Sequence, residues 1–141
     1  MTIIQWLLLP AFVHVLLVFS VGARMGRARF EAARLGRVKV KDIAVDGSKW
    51  PDDVRKIANN YQNQFEVPVL FYAALALIVA TGLADWVAVG LAWIFIASRV
   101  AHTLVHIGPN TIIWRFRLFL LGFITVVVLW LWFGLRLYVI G

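Results

Sequence analysis

The chain contains no cysteine, which excludes disulfides, thiolate metal sites and a cysteine nucleophile. Any thiol chemistry it performs needs a thiol from outside. Acidic residues are also scarce, seven Asp and Glu against fourteen Lys and Arg in 141 residues. Polar sequence of any length is confined to the stretch that begins at Ala23. Hydrophobic residues make up 62% of the chain and mean hydropathy is +0.86, where soluble domains run at roughly 45 to 50% apolar. An ordinary soluble domain is therefore excluded, and the composition describes an integral membrane protein. The length accommodates about four spans of ~20 residues in one domain covering residues 1–141. No internal repeat stands out.

The basic excess is local. Between Arg24 and Lys56 lie ten basic and five acidic residues. A basic loop beside a span is what the positive-inside rule produces, and it suits anionic headgroups. No aromatic-interleaved basic face or reading motif accompanies it, so nucleic acid is not an expected partner.

Apolar runs and punctuation predict an all-α bundle of four transmembrane helices, over residues 3–22, 65–82, 86–107 and 116–140, with a cytoplasmic loop over 23–50. The first run lacks a basic leader and a small-residue cleavage pattern, and it reads as a retained span. Arg24, Arg27 and Arg29 follow it directly and place its C-terminal end in the cytoplasm, as Arg115 and Arg117 do for the fourth span. Both termini are then outside the cytoplasm. Arg136 is the one basic residue on the wrong side. In "SKWPDD", Ser48 can cap a helix, Pro51 suits its first turn, and Asp52 and Asp53 complement its positive end. The helical pattern runs from Pro51 into the second span and stops near Gly82, with a kink expected at Pro68 whose freed carbonyl is satisfied by a neighbouring helix or water.

Two polar stripes interrupt the apolar runs. Arg55, Asn59, Asn63 and Glu66 share one helix face, and Phe95, Arg99, His102 and His106 share another. A charge near the bilayer centre costs about 2.5 to 3.5 kcal/mol on insertion scales and is usually turned inward to a partner. The spacing predicts a structural Glu66 to Arg99 ion pair between the second and third spans, in either a helix-holding or a functional role. His102 and His106, at i and i+4, supply only two metal or haem ligands, and His14 is far along another span, so no metal is expected. His14 reads as a packed, hydrogen-bonded residue.

These residues carry a resemblance. "NQFEVP" resembles the Asn-x-x-Glu signature of the membrane-associated proteins in eicosanoid and glutathione metabolism, the MAPEG family. "RVAHTLVHIGPNTIIWR" is similar to the third-span segment of its microsomal glutathione transferase and prostaglandin E synthase branches. The resemblance implies a homotrimer in a membrane, in a bacterial member the inner membrane, with glutathione as cosubstrate between subunits and a lipophilic small molecule as the other substrate. It implies a catalytic Arg115 that stabilises the thiolate, and glutathione contacts from Asn63, Glu66, His102 and His106. It implies that Arg24, Arg27 and Arg29 form the basic end of the first span that meets the glutathione carboxylates, and Arg55 is a further cation that could take one. The activity implied is a glutathione-dependent transferase or peroxidase; the alternative is a non-catalytic trimeric binding or scaffold protein of the same fold. The chain departs from the family pattern at Asn59, where arginine is usual, and at His106 and Phe119, where tyrosine is common.

Overall fold

The computed structural model describes residues 1–44 and 46–140. Helix α1 (Ile3–Arg34) opens with a reciprocal cap. The Gln5 amide donates to Thr2 Oγ1 at 3.3 Å and the Thr2 N–H donates to Gln5 Oε1 at 2.7 Å, which satisfies two of the free donors of a helix start. Its 32 residues span roughly 48 Å at ~1.5 Å each, against a hydrocarbon thickness of ~30 Å. The basic end beyond Gly22 therefore projects out of the lipid.

A short helix α2 (Val40–Ile43) and a 3₁₀ turn (Gly47–Lys49) follow. Arg37 ties this loop to the next helix by a two-pronged bond to Asp53, at 2.8 and 3.0 Å. Ser48 does not cap that helix as the sequence suggested. Its carbonyl instead accepts from Arg55 Nη1 at 3.1 Å, and Pro51 takes the cap position with Asp52 and Asp53 in the first turn.

The second span is two helices, α3 (Asp52–Gln62) and α4 (Val67–Ala80), where the sequence predicted one kinked helix. Pro68 has no N–H to give the carbonyl four residues back, and its ring crowds that carbonyl, so a helix continuing through Gln64 is interrupted. Asn63 to Glu66 consequently leave the helix, and the Asn-x-x-Glu segment becomes the break itself.

Helix α5 (Trp86–Ile107) is capped by Asp85, whose Oδ1 accepts from the Ala88 amide at 2.8 Å. It packs against α1, α3 and α6 and is the most buried of the four spans. Its other end closes at Asn110, which adopts φ 55° and donates its N–H to Val105 O at 2.8 Å; asparagine tolerates this left-handed conformation better than most residues. Helix α6 (Ile112–Leu135) starts before the expected Phe116 and loosens into a π-type turn over Arg136–Ile140.

The four long apolar segments form a four-helix membrane bundle. Leu7, Phe71, Leu75, Ile78, Phe95, Val126 and Leu129 fill the half remote from the basic loop, with the Phe71 and Phe95 rings 4.4 Å apart. At that end Asp85 also accepts from Trp132 Nε1 at 2.9 Å and faces Arg136 Nε at 3.5 Å. Arg136 thus has an acid partner on its own side of the bundle.

Helices α5 and α6 approach closely at Gly122, where an added Cβ would sit 2.7 Å from Ser98 Oγ. Without a hydrophobic drive between helices in lipid, such close backbone approach carries much of the association. Gly122→Ala should lower the thermal midpoint in detergent, at a cost of about 1–3 kcal/mol for overpacking. Adding Ser98→Ala should recover most of it. A double variant no more stable than Gly122→Ala would show that this contact does not set the helix separation.

Candidate functional site

Behind the break in the second span lies a buried polar network. Arg99, about two turns into α5 from its C-terminal end, is 1% exposed. Its Nη2 donates to Asn63 O at 2.9 Å and to Gln64 Oε1 at 3.4 Å. The broken helix leaves Asn63 O without its usual N–H from Val67, and the arginine supplies the missing donor. Gln64, 1% exposed, is the hub. Its Nε2 donates to Asn60 O, Asn60 Oδ1 and Thr103 Oγ1 at 3.0, 3.2 and 3.1 Å, and its Oε1 accepts from His14 Nε2 at 3.2 Å. That acceptor fixes the proton on His14 Nε2, so Nδ1 accepts from Tyr72 Oη at 2.6 Å. Five segments, α1, α3, the break, α4 and α5, are joined through neutral groups around one cation.

The predicted Glu66 to Arg99 ion pair is not formed. No salt bridge among the described residues joins them, and Glu66 is exposed while Arg99 is buried. The physical reason is the break: once residues 63–66 leave the helix, Glu66 no longer continues the face that Asn63 began. Carbonyl and amide oxygens take its place at the guanidinium. The face expected from Arg55, Asn59, Asn63 and Glu66 points outward, with only Asn63 half-buried. Inward turn Val54, Ile57, Asn60 and Gln64, a stripe that the amides of Asn60 and Gln64 disguised among apolar neighbours. By contrast Phe95, Arg99, His102 and His106 all face inward, as their spacing predicted.

On the outer side of this network two grooves meet at Arg115. One, about 260 Å³, is polar and is lined by Asp52, Arg55, Lys56, Asn59, His106, Asn110 and Arg115. The other, about 440 Å³, is lined by Asn63, His102 and Arg115 together with Ile112, Phe116 and Phe119. Arg115 Nη1 donates to Asn110 Oδ1 at 2.8 Å, and Lys56 Nζ donates to Gly108 O at 3.1 Å, so both cations are anchored by the α5–α6 turn. His102 Nδ1 donates to Arg115 O at 3.1 Å. Its Nε2 is then an acceptor, and that atom and His106 Nδ1 are buried without a hydrogen-bond partner. The two imidazoles stand edge to face, 5.4 Å apart.

The arginines of α1 are elsewhere. Arg29 lines a separate cleft of about 620 Å³ between α1, the loop and α3, a cleft that Arg55 and Asn59 also border. Arg24 and Arg27 are exposed and line neither of the grooves that meet at Arg115. Arg55 is held by Asp52 at 2.7 Å. No group of three or more His, Cys, Asp or Glu side chains among the described residues is arranged to hold a metal ion.

A family model described as the MAPEG family matches residues 7–135 of the chain. The chain belongs to the MAPEG family. Neither a curated protein nor a solved structure matches it significantly. In this MAPEG chain the Asn-x-x-Glu segment is an irregular turn, set against a buried arginine on one side and an open groove on the other.

The residues that sequence reasoning missed are Asn60, Gln64, Tyr72 and Thr103. The available signal was a second amide pair at i and i+4, Asn60 and Gln64, in phase with Val54 and Ile57. Gln64→Leu should destabilise the bundle by roughly 2–4 kcal/mol, because it strands His14, Asn60 and Thr103 and removes an acceptor from a buried charge. Thr103→Val should cost about 1 kcal/mol, the value of one neutral hydrogen bond. Thermal melts in detergent check both, and equal losses in the two variants would remove Gln64 from the centre of the network.

Proposed function

We propose that the protein is a glutathione-dependent membrane transferase or peroxidase acting on a lipophilic electrophile, with Arg115 stabilising the glutathione thiolate. The observation that carries this reading is the position of Arg115 where a cationic groove joins one with an apolar wall. A free thiol has a pKa near 8.5, and a neighbouring cation lowers it. The guanidinium is permanently charged and stabilises the anion without titrating. Arg55 and Lys56 offer cations to the glutathione carboxylates, while Asn59 and Asn63 offer amides. The imidazoles of His102 and His106 supply unpartnered nitrogens beside them.

Conjugation forms a bond from sulfur to an electrophilic carbon, and the departing group or opened ring oxygen leaves with the electron pair. A lipid hydroperoxide is instead reduced to the alcohol and water as two glutathione molecules form a disulfide. Ile112, Phe116 and Phe119 give the second substrate an apolar approach from the bilayer. The outward edge with Asn59, Asn63 and Glu66 suits a neighbouring copy in a homotrimer, which would complete the glutathione site. The basic end then faces the cytoplasm, with both termini outside, in a bacterial inner membrane. Phe119 places no hydroxyl beside Arg115, which favours the second reading, a non-catalytic trimeric membrane scaffold of the same fold.

Titration of the purified protein with glutathione, followed by thiolate absorbance across pH, separates the two. A saturable thiolate signal should appear with an apparent pKa below ~8.5, and Arg115→Ala should move it up by about 1–2 units. Because the cation favours the charged form, the wild-type signal survives to lower pH than that of the variant. Asn63→Ala should weaken binding, whereas Arg117, whose guanidinium lies over the Trp114 ring at 5.3 Å, should tolerate alanine. No saturable signal in the wild type would leave the scaffold reading.

A further inference from the structure

The cleft between α1, the loop and α3 is about 620 Å³, and it shares only Arg55 and Asn59 with the polar groove at Arg115. Arg29 and Arg55 line it, and no acidic side chain does. The Arg29 guanidinium lies over the Trp50 ring, 5.4 Å from its centroid, and its Nε is buried with no hydrogen-bond partner. Arg29 is therefore placed and stacked, yet one of its directed donors is unspent. Around it Ser48, Asn59, Tyr61 and Gln62 contribute hydroxyl and amide groups.

Depth decides what this arrangement can meet. Gly22 ends the first apolar run, and Tyr61 packs on it so closely that an added Cβ would be 3.1 Å from the ring. At ~1.5 Å per residue, the backbones of Met25 and Arg29 stand roughly 5 and 10 Å beyond that boundary, and helical side chains lean back toward the N-terminus, into a headgroup layer about 5–8 Å deep. Trp50 and Tyr61 are the aromatic types enriched there.

We propose that this cleft binds the phosphate of an anionic phospholipid headgroup, with Arg29 as its ligand. A guanidinium with an open Nε–H matches a phosphate oxygen in a directed way that a solvated lysine does not. The bound lipid clasps the loop to α1 and α3. It neutralises the Arg29 charge at this basic end of the bundle.

The test uses the full-length protein in a neutral maltoside detergent, titrated calorimetrically with dioctanoyl phosphatidylglycerol, dioctanoyl phosphatidylcholine and sodium phosphate. Phosphatidylglycerol should saturate one site per chain and bind about tenfold more tightly than phosphatidylcholine, with inorganic phosphate failing to displace it at equal concentration. Arg29→Gln should bring the two lipids level, Arg29→Lys should keep part of the preference, and Arg34→Gln, on the exposed end of α1, should keep all of it. Equal affinities in the wild type, or a preference that survives Arg29→Gln, would overturn the site. So would the same loss in Arg34→Gln, which would mean bulk charge attraction. Displacement by free phosphate would overturn the lipid as the source of the anion.

Discussion

An arginine sealed from water with no carboxylate in contact constrains everything around it. Burying a charge is costly unless its donors are met. Arg99 meets part of that demand with a backbone carbonyl, Asn63 O, and with the amide oxygen of Gln64. The carbonyl is free only because Pro68 has broken the second span. The break would be costly in lipid without a donor, and the arginine would be costly in the interior without an acceptor. Each defect answers the other, and Gln64 extends the bond to α1 through His14 and to α5 through Thr103.

That coupling gives the outer surface its character. Residues 63–66 leave the helix and present Asn63 to the groove that holds His102 and Arg115. On the far side of α3 the same helix borders the cleft of Arg29 and Trp50. Cations that seem a single basic cluster in the chain are thereby divided. Arg115 belongs with the histidines, Arg29 with the tryptophan, and Arg55 stands between, borrowed by Asp52. The division bears on any anion that approaches this end of the bundle, because Arg55 and Asn59 of α3 border both the cleft of Arg29 and the polar groove of Arg115.

Much of this was legible beforehand. The third span's stripe of Phe95, Arg99, His102 and His106 faces inward as its spacing required, and four apolar helices follow from hydropathy. The second span was harder. Its polar residues include two sets in helical register, Arg55, Asn59 and Asn63 on one face and Asn60 and Gln64 on another, and composition does not say which is buried. The more strongly charged set drew attention, yet a buried face in a membrane favours amides, which cost less to enclose and can bond in both directions. The ion pair with Glu66 failed for a related reason. Helical extrapolation through a proline assumes a continuity that the missing N–H removes.

Sequence alone determined the number of membrane spans, the basic end of the bundle and family membership, because these depend on hydropathy, charge count and motif. Only the tertiary structure decided which polar residues lie within and which without. Partners for Arg99 come from residues 35 and 36 positions away, and those for Gln64 from 39 and 50 positions away. Such distances carry no local pattern. The choice between a carboxylate and a carbonyl at one buried guanidinium was settled by where a broken helix came to rest against its neighbour.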